Sequence, residues 1–340
     1  MGNEIFEYGF HLVSELEIAA NFIWAGIKEV NKIRDFEVDI PIELSDLMDK
    51  TVDYGRAGGT FQEANAHLIV RENQDKIFTA LYHFSIGIER VQKTILKLYL
   101  FPKDRDEDYE KSDLELLKSH KMEALQQRLK RLFPELHFEK RENNLLELLS
   151  HYYNHERYMN LHADTKEDNY YHLFIEFLKR YSKDLTNRKT VLEVIGSSVG
   201  RIIAKYYSIL ENLSHEKGVF VYEINYQKES RYVYLAYQNR NASLQIQFDK
   251  IRRAKQELIL YLIEQGKAIY PVDSLEIDSL DFDFAELPDM IDYILNENVL
   301  NDFTDTVESF DDDIFYEVED KKEFQRIIAE RKEILDNFYK

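Results

Sequence analysis

Between Ile77 and Leu100 the apolar side chains Leu81, Phe84, Ile86, Ile88, Val91, Ile95, Leu96 and Leu98 recur at helical spacing. A stripe of roughly six turns must be covered by other elements, so it commits the chain to building a packed bundle around it. The same period runs through residues 4–34, where Phe6, Phe10, Leu12, Val13, Leu16, Ile18, Phe22, Ile23 and Ile27 share the pattern. Further helices are predicted over 114–132, 144–161, 170–181 and 190–213, and Gly196 and Gly200 in the last of these predict a close helix contact. At Gly218 the period changes. Val219–Tyr226 and Arg231–Tyr237 are rich in aromatic and β-branched residues and flank a polar stretch, a pattern that predicts a hairpin. Residues 244–265 return to helical spacing and carry the basic group Lys250, Arg252, Arg253 and Lys255, and 324–338 predict a charged terminal helix. The expected fold is mainly α: an N-terminal helical extension (1–60), a helical bundle (61–215) and a smaller acidic α/β C-terminal module containing the hairpin (216–340).

A chain of 340 residues with 44% hydrophobic and 32% charged residues has the material for more than one soluble core. It has no cysteine, so disulfides and thiolate metal sites are excluded and a reducing, cytoplasmic setting is expected. The stretch from Ile5 to Val30 is interrupted by Glu7, Glu15, Glu17 and Lys28, which fits an amphipathic soluble helix and not a signal peptide or membrane span. The net charge of −20 is concentrated: residues 273–320 hold 18 of the 64 acids and no Lys or Arg. The remaining 46 acids nearly balance the 44 bases, so the body of the chain does not exclude a polyanionic partner such as RNA. The acidic segment also keeps Leu275, Ile277, Leu280, Phe282, Phe284, Leu287, Ile291, Ile294, Val299, Phe303, Phe310 and Phe315, too much apolar surface for a disordered tail. It reads as a folded acidic surface, as a site for a basic partner protein, or as an internal phosphate mimic lying in the RNA path.

The run from His151 to His162 says more about function than any other stretch of the sequence. Arg157 is a permanent cation and His162, five positions on, titrates near neutrality. The spacing alone is weak, because chance gives roughly one or two such pairs in a chain with this many Arg and His residues; Arg131/His137, interrupted by Pro134, is the other. On an ideal helix Arg157 and His162 stand about 140° apart, so a shared site requires the helix to end or distort near Leu161, which Ala163-Asp164-Thr165 permits. His151 and His155 have a spacing that can hold zinc, but lack the order of residues that zinc helices carry, so packed histidines are the expectation and neither metal nor cofactor is predicted.

Three stretches together resemble the HEPN superfamily of small helical domains. Phe84–Lys97, with Glu89 and Lys93 on an apolar helix, resembles that family's early helix. Lys118–Leu129, with His120 ahead of apolar positions, is similar to its middle helix. Leu145–His162 matches its late helix, with Tyr153, Arg157-Tyr158 and Arg-x4-His. The resemblance covers about residues 75–185 and implies a HEPN-like bundle acting as a homodimer. It also implies a metal-independent endoribonuclease of phage-defence or toxin type, with Arg157 and His162 catalytic and Glu89, Lys93 and His120 in support. Active members carry Asn, Asp or His directly after the arginine, where this chain has Tyr158; Asn154 and Asn160 are the polar groups nearby. The position two beyond the histidine, a tyrosine in members that are modified by an antitoxin, is Asp164, so that scheme is not expected. Arg128, Lys130 and Arg131 form a basic run that either guides RNA or is simply solvated. A catalytically inactive RNA- or nucleotide-binding module, or a dimeric interaction module, is the alternative function.

Overall fold

A computed structural model describes residues 2–33, 36, 61–101, 111–156, 169–221, 224, 227–264, 279–280, 294, 301–318 and 320–338. The chain forms two compact units, Met1–Ile246 and Gln247–Lys340. Helices α1 (Gly2–Val30), α2 (Phe61–Leu100), α3 (Lys111–Lys118), α4 (Met122–Leu132), α5 (Lys140–His151), α6 (Asn169–Tyr181), α7 (Arg188–Lys217) and α8 (Lys228–Tyr234) belong to the first. Helix α9 (Leu244–Glu264) begins there and continues into the second unit, which also holds α10 (Asn301–Glu317) and α11 (Lys321–Phe338). The protein is mainly helical, and no strand occurs among the described residues.

The first unit is organised around α1, α2 and α7. Leu12, Leu16, Ile23, Trp24 and Ile27 of α1 are buried, as are Leu81, Phe84, Ile88, Val91 and Ile95 of α2, each contributing about 1.5–3 kcal/mol relative to exposure. Two glycines let the helices close on one another. A Cβ on Gly26 would stand 2.5 Å from the Phe84 ring, and one on Gly87 would stand 2.5 Å from Ile23. The N-terminal helix is therefore part of the first unit's core, and the boundary between the two units falls between Ile246 and Gln247. Helix α7 starts where the Asn187 side chain accepts the Thr190 amide at 3.1 Å, and ends at Gly218, whose φ of 66° is the left-handed conformation that terminates helices.

Among the described residues the expected hairpin does not form; Tyr222, Glu223, Asn225 and Tyr226 of its first arm lie outside them. Residues 228–234, covering its turn and most of its second arm, are helix α8, followed by a 3₁₀ turn over Leu235–Gln238. The alternating tyrosines misled because successive residues are buried: Tyr232, Val233 and Tyr234 all lie in the core, which a half-exposed strand cannot achieve. Trp24 packs on Tyr232 with ring centroids 5.0 Å apart, and the Tyr234 hydroxyl donates to the Leu16 carbonyl at 2.7 Å. These contacts fix the segment on α1. The close helix contact expected of Gly196 and Gly200 forms at Gly196, where a Cβ would lie 2.6 Å from Gln245 of α9; at Gly200 the neighbour is the 3₁₀ turn over Arg240–Ala242, whose Ala242 carbonyl oxygen a Cβ would overlap.

His83 on α2 lies between the rings of Phe22 (5.8 Å) and Tyr82 (6.1 Å), and its Nδ1 has no hydrogen-bond partner among the described residues. Burial pushes its pKa below the usual 6.5, Glu29 opposing and Lys32 adding to the shift. A folded-state pKa below the unfolded one means that the unfolded chain binds the proton more readily. Stability from neutral His83 is thus complete above 6.5 and is lost as the pH falls below it. Urea midpoints should drop between about pH 7.5 and about pH 5.5, and a His83→Gln variant should show a shallower drop; equal slopes would exclude His83 as the source.

In the second unit Ala254 and Leu258 of α9 pack with Leu280 and Val307, joined by Tyr261, Leu262, Ile294 and Phe310. Apolar residues of the acidic segment thus build this core. Its carboxylates also meet the basic residues of α9: Glu308 pairs with Lys250, and Asp311 with Arg253 at 2.6 Å.

Candidate functional site

Glu89 is the centre of the site geometry. It sits on α2 with 4% of its surface exposed, a placement that is costly for a carboxylate unless cations or donors meet it. Two groups do. Lys93, one turn along α2, brings its Nζ to 2.6 Å, and His120 places Nδ1 at 3.2 Å from the same oxygen. The helix predicted over 114–132 is broken at Ser119–Lys121 into α3 and α4, and His120 occupies that break. The link lets a residue 31 positions away in sequence reach Glu89. One face of His120 then packs edge-on against Tyr153, with centroids 5.9 Å apart.

Tyr153 belongs to a π-turn, Tyr152–Glu156, that follows α5 without a break. Turns of this kind interrupt α-geometry and recur at functional sites. The turn is anchored to α2, since the Tyr152 hydroxyl donates to the Phe78 carbonyl at 3.0 Å and Ser85 donates to the Leu149 carbonyl at 3.2 Å. Asn154, exposed in the same turn, donates to Ser150 at 3.3 Å. The chain runs from Glu156 directly into Arg157. Arg157, Tyr158, Asn160 and His162 lie outside the described residues. The departure from α-geometry near Leu161 that a shared Arg157/His162 site requires also falls outside the described residues.

The basic run does not present three equivalent cations. Arg128 is fixed by a two-point ion pair with Asp113, at 2.8 and 2.9 Å, and Asp113 is 1% exposed. That pair ties α4 to α3. Lys130 donates to Asn143 at 3.0 Å and lies 5.4 Å over the Phe138 ring, where burial lowers its pKa. Arg131 is the exposed member, reaching back to the Gln127 carbonyl at 3.3 Å. His151 and His155 pack ring against ring at 5.1 Å, and no three His, Asp or Glu side chains among the described residues converge as metal ligands.

Tyr153 is the site residue that sequence reasoning placed in a motif but gave no role. Its signal was only its position in the run ahead of Arg157. Also missed was a groove between α5 and α6, the two helices on either side of the Arg157–His162 segment. The residues that line it recur at i, i+3, i+4 and i+7 on both helices: 144, 147, 148 and 151, then 173, 176, 177 and 180. That spacing marks one face of each helix but does not distinguish a packed face from an open one. Among the described residues no helix is long and apolar enough to cross a membrane. No protein-family model, curated protein or solved structure matches this chain.

Proposed function

We propose that the chain is a metal-independent endoribonuclease of toxin or phage-defence type, acting as a cytoplasmic homodimer in which Arg157 and His162 of each copy complete one site. The convergence of Glu89, Lys93, His120 and Tyr153 carries this reading. Three stretches linked in the sequence only by resemblance to the HEPN superfamily contribute to one cluster, and the last of them continues into Arg157. RNA cleavage without a metal needs a base for the 2′-hydroxyl proton, an acid for the departing 5′-oxygen, and a cation on the phosphorane. One His162 removes the 2′-proton while its symmetry mate protonates the 5′-oxygen, and the Arg157 pair binds the phosphate oxygens. The 2′-oxygen–phosphorus bond forms as the phosphorus–5′-oxygen bond breaks, giving a 2′,3′-cyclic phosphate and a 5′-hydroxyl. Glu89, braced by Lys93, holds His120 beside this site, and exposed Arg131 steers the polyanion.

The test is to incubate the purified protein with RNA in a chelator beside a His162→Ala variant. Cleavage by the wild type alone, leaving cyclic-phosphate ends, is expected. No cleavage, or equal cleavage by both proteins, sinks the enzyme reading. Tyr158 favours a second reading, an inactive RNA- or nucleotide-binding dimer, which RNA binding without cleavage would select. For residues 273–320, exposed carboxylates such as Asp312 and Asp313 are what a basic partner protein would meet.

A further inference from the structure

The groove between α5 and α6 has a volume of about 250 Å³ and an apolar floor made by Leu148, Leu173 and Phe177. It is smaller than the roughly 300–1,000 Å³ typical of drug-sized ligand sites, which suits a single base or nucleoside. Its rim mixes acceptors and donors. Glu147 projects from α5, is exposed, and has no hydrogen-bond or ion-pair partner among the described residues. Glu176 on α6 is engaged by His172 at 3.2 Å. Arg180 also lines the groove from α6, and it is positioned: with the Asn144 amide turned so that its oxygen faces the two donors around it, that oxygen accepts from Arg180 Nη1 at 2.9 Å and from the Tyr181 hydroxyl at 2.8 Å. Its remaining guanidinium donors are not used by that contact.

An apolar floor bounded by a carboxylate on one wall and an arginine fork on the other is complementary to a flat ring with donors on one edge and acceptors on the next. Among the four RNA bases guanine alone has two adjacent donors, N1–H and the N2 amine, beside two adjacent acceptors, O6 and N7. A carboxylate can take the first edge with both oxygens, and arginine is the usual partner of the second. Uracil offers one ring donor between two acceptors, and an unpaired carboxylate there would repel both. Phosphate is disfavoured by the two glutamates.

We propose that this groove binds an unpaired guanine of single-stranded RNA, with Glu147 accepting from N1–H and N2–H and Arg180 donating to O6 and N7. The role of this base as a neighbour of the scissile phosphate rests on the ribonuclease reading, because α5 and α6 precede and follow, in the sequence, the segment that holds Arg157 and His162. Specificity read on extruded single-stranded bases, rather than on a duplex, is the usual mode for RNA.

The experiment measures binding of fluorescent hexanucleotides to the full chain carrying His162→Ala. The oligonucleotides contain one guanine, or inosine, adenine, cytosine or uracil in its place. The guanine oligonucleotide should bind about tenfold tighter than the inosine one, which lacks only the N2 amine. Glu147→Gln should cut that preference to about twofold or less, while Glu176→Gln leaves it intact. Equal affinity for guanine and inosine overturns the proposal, and so does a preference that survives Glu147→Gln. Cleavage by the wild type is scored separately. Guanine-selective binding without any cleavage retains the groove and removes the nuclease. Cleavage with the same sites in wild type and Glu147→Gln retains the nuclease and removes the groove as its specificity pocket.

Discussion

Replacing Gly200 by alanine is expected to cost the first unit about 3 kcal/mol or more, at the upper end of what overpacking does. The added methyl would overlap the carbonyl oxygen of Ala242, with the Leu244 amide nitrogen 3.3 Å away. Both obstacles are backbone, so no side-chain rotation relieves them. Nor is that backbone free to shift. Asn239 grips the turn from both sides, accepting the Ser243 amide at 2.7 Å and donating to the Ser243 carbonyl at 3.0 Å. The Ser243 hydroxyl donates to Glu193 at 2.8 Å, and Arg201 Nε donates to the Asn241 carbonyl at 3.3 Å. Asn241 and Ala242 have φ of 64° and 52°, a conformation that L-residues adopt only under constraint. Any movement that admits the methyl must break several of these contacts at once. Gly218→Ala is the internal control: its φ is 66° but nothing lies within 4 Å of the new methyl. It should cost only about 1 kcal/mol of backbone strain. Urea denaturation followed by circular dichroism distinguishes the two. A Gly200→Ala loss no larger than that of Gly218→Ala would show that the turn yields.

This contrast also explains what the sequence could and could not convey. Gly196 and Gly200 are four apart on a helix of strong apolar period, so a close approach was legible from spacing. The partner was not, because the backbone at Ala242 is brought there by tertiary folding of a turn with no helical or strand pattern. The same limit applies to α8. Tyr232, Val233 and Tyr234 have strand-forming side chains, and their local preference yields to burial on all sides against α1 and α7. At the candidate site, Glu89 and Lys93 were readable as an i, i+4 pair. Adding His120 to that pair required the break at Ser119–Lys121, which propensity did not mark within a run of helix-forming residues. The acidity of residues 273–320 was readable as a bulk property, yet its pairing with α9 depends on which carboxylates the fold turns inward.

One of those carboxylates, Asp311, shares a charge cluster with the buried Glu257 of α9, which sets the other large effect. Glu257→Ala should destabilise the second unit by about 3–5 kcal/mol, a major part of the roughly 5–15 kcal/mol that holds a typical domain together. Glu257 has no exposed surface. Arg331 of α11 binds it through two parallel hydrogen bonds, Nε to Oε1 at 2.8 Å and Nη2 to Oε2 at 2.7 Å. On the other side lies the guanidinium of Arg253, itself 5% exposed, with Nε 3.8 Å from Oε1 and Nη1 2.6 Å from Asp311 of α10. Among the described residues, two arginines and two carboxylates balance in a cluster that links α9, α10 and α11. Truncating Glu257 leaves two guanidiniums facing one carboxylate out of water, and the penalty comes mainly from the uncompensated charge. It follows that removing an arginine together with the glutamate should restore much of what the single change loses. In the Glu257→Leu/Arg331→Leu double variant Arg253 and Asp311 still balance, and apolar side chains replace the buried pair at similar volume. Hydrogen exchange of the α9, α10 and α11 amides in the wild type, Glu257→Leu, Arg331→Leu and the double variant completes the cycle. A Glu257→Ala loss below about 1 kcal/mol, or a double variant as unstable as the worse single one, would mean that apolar packing around Leu258, Leu280 and Val307 holds this unit without the charges.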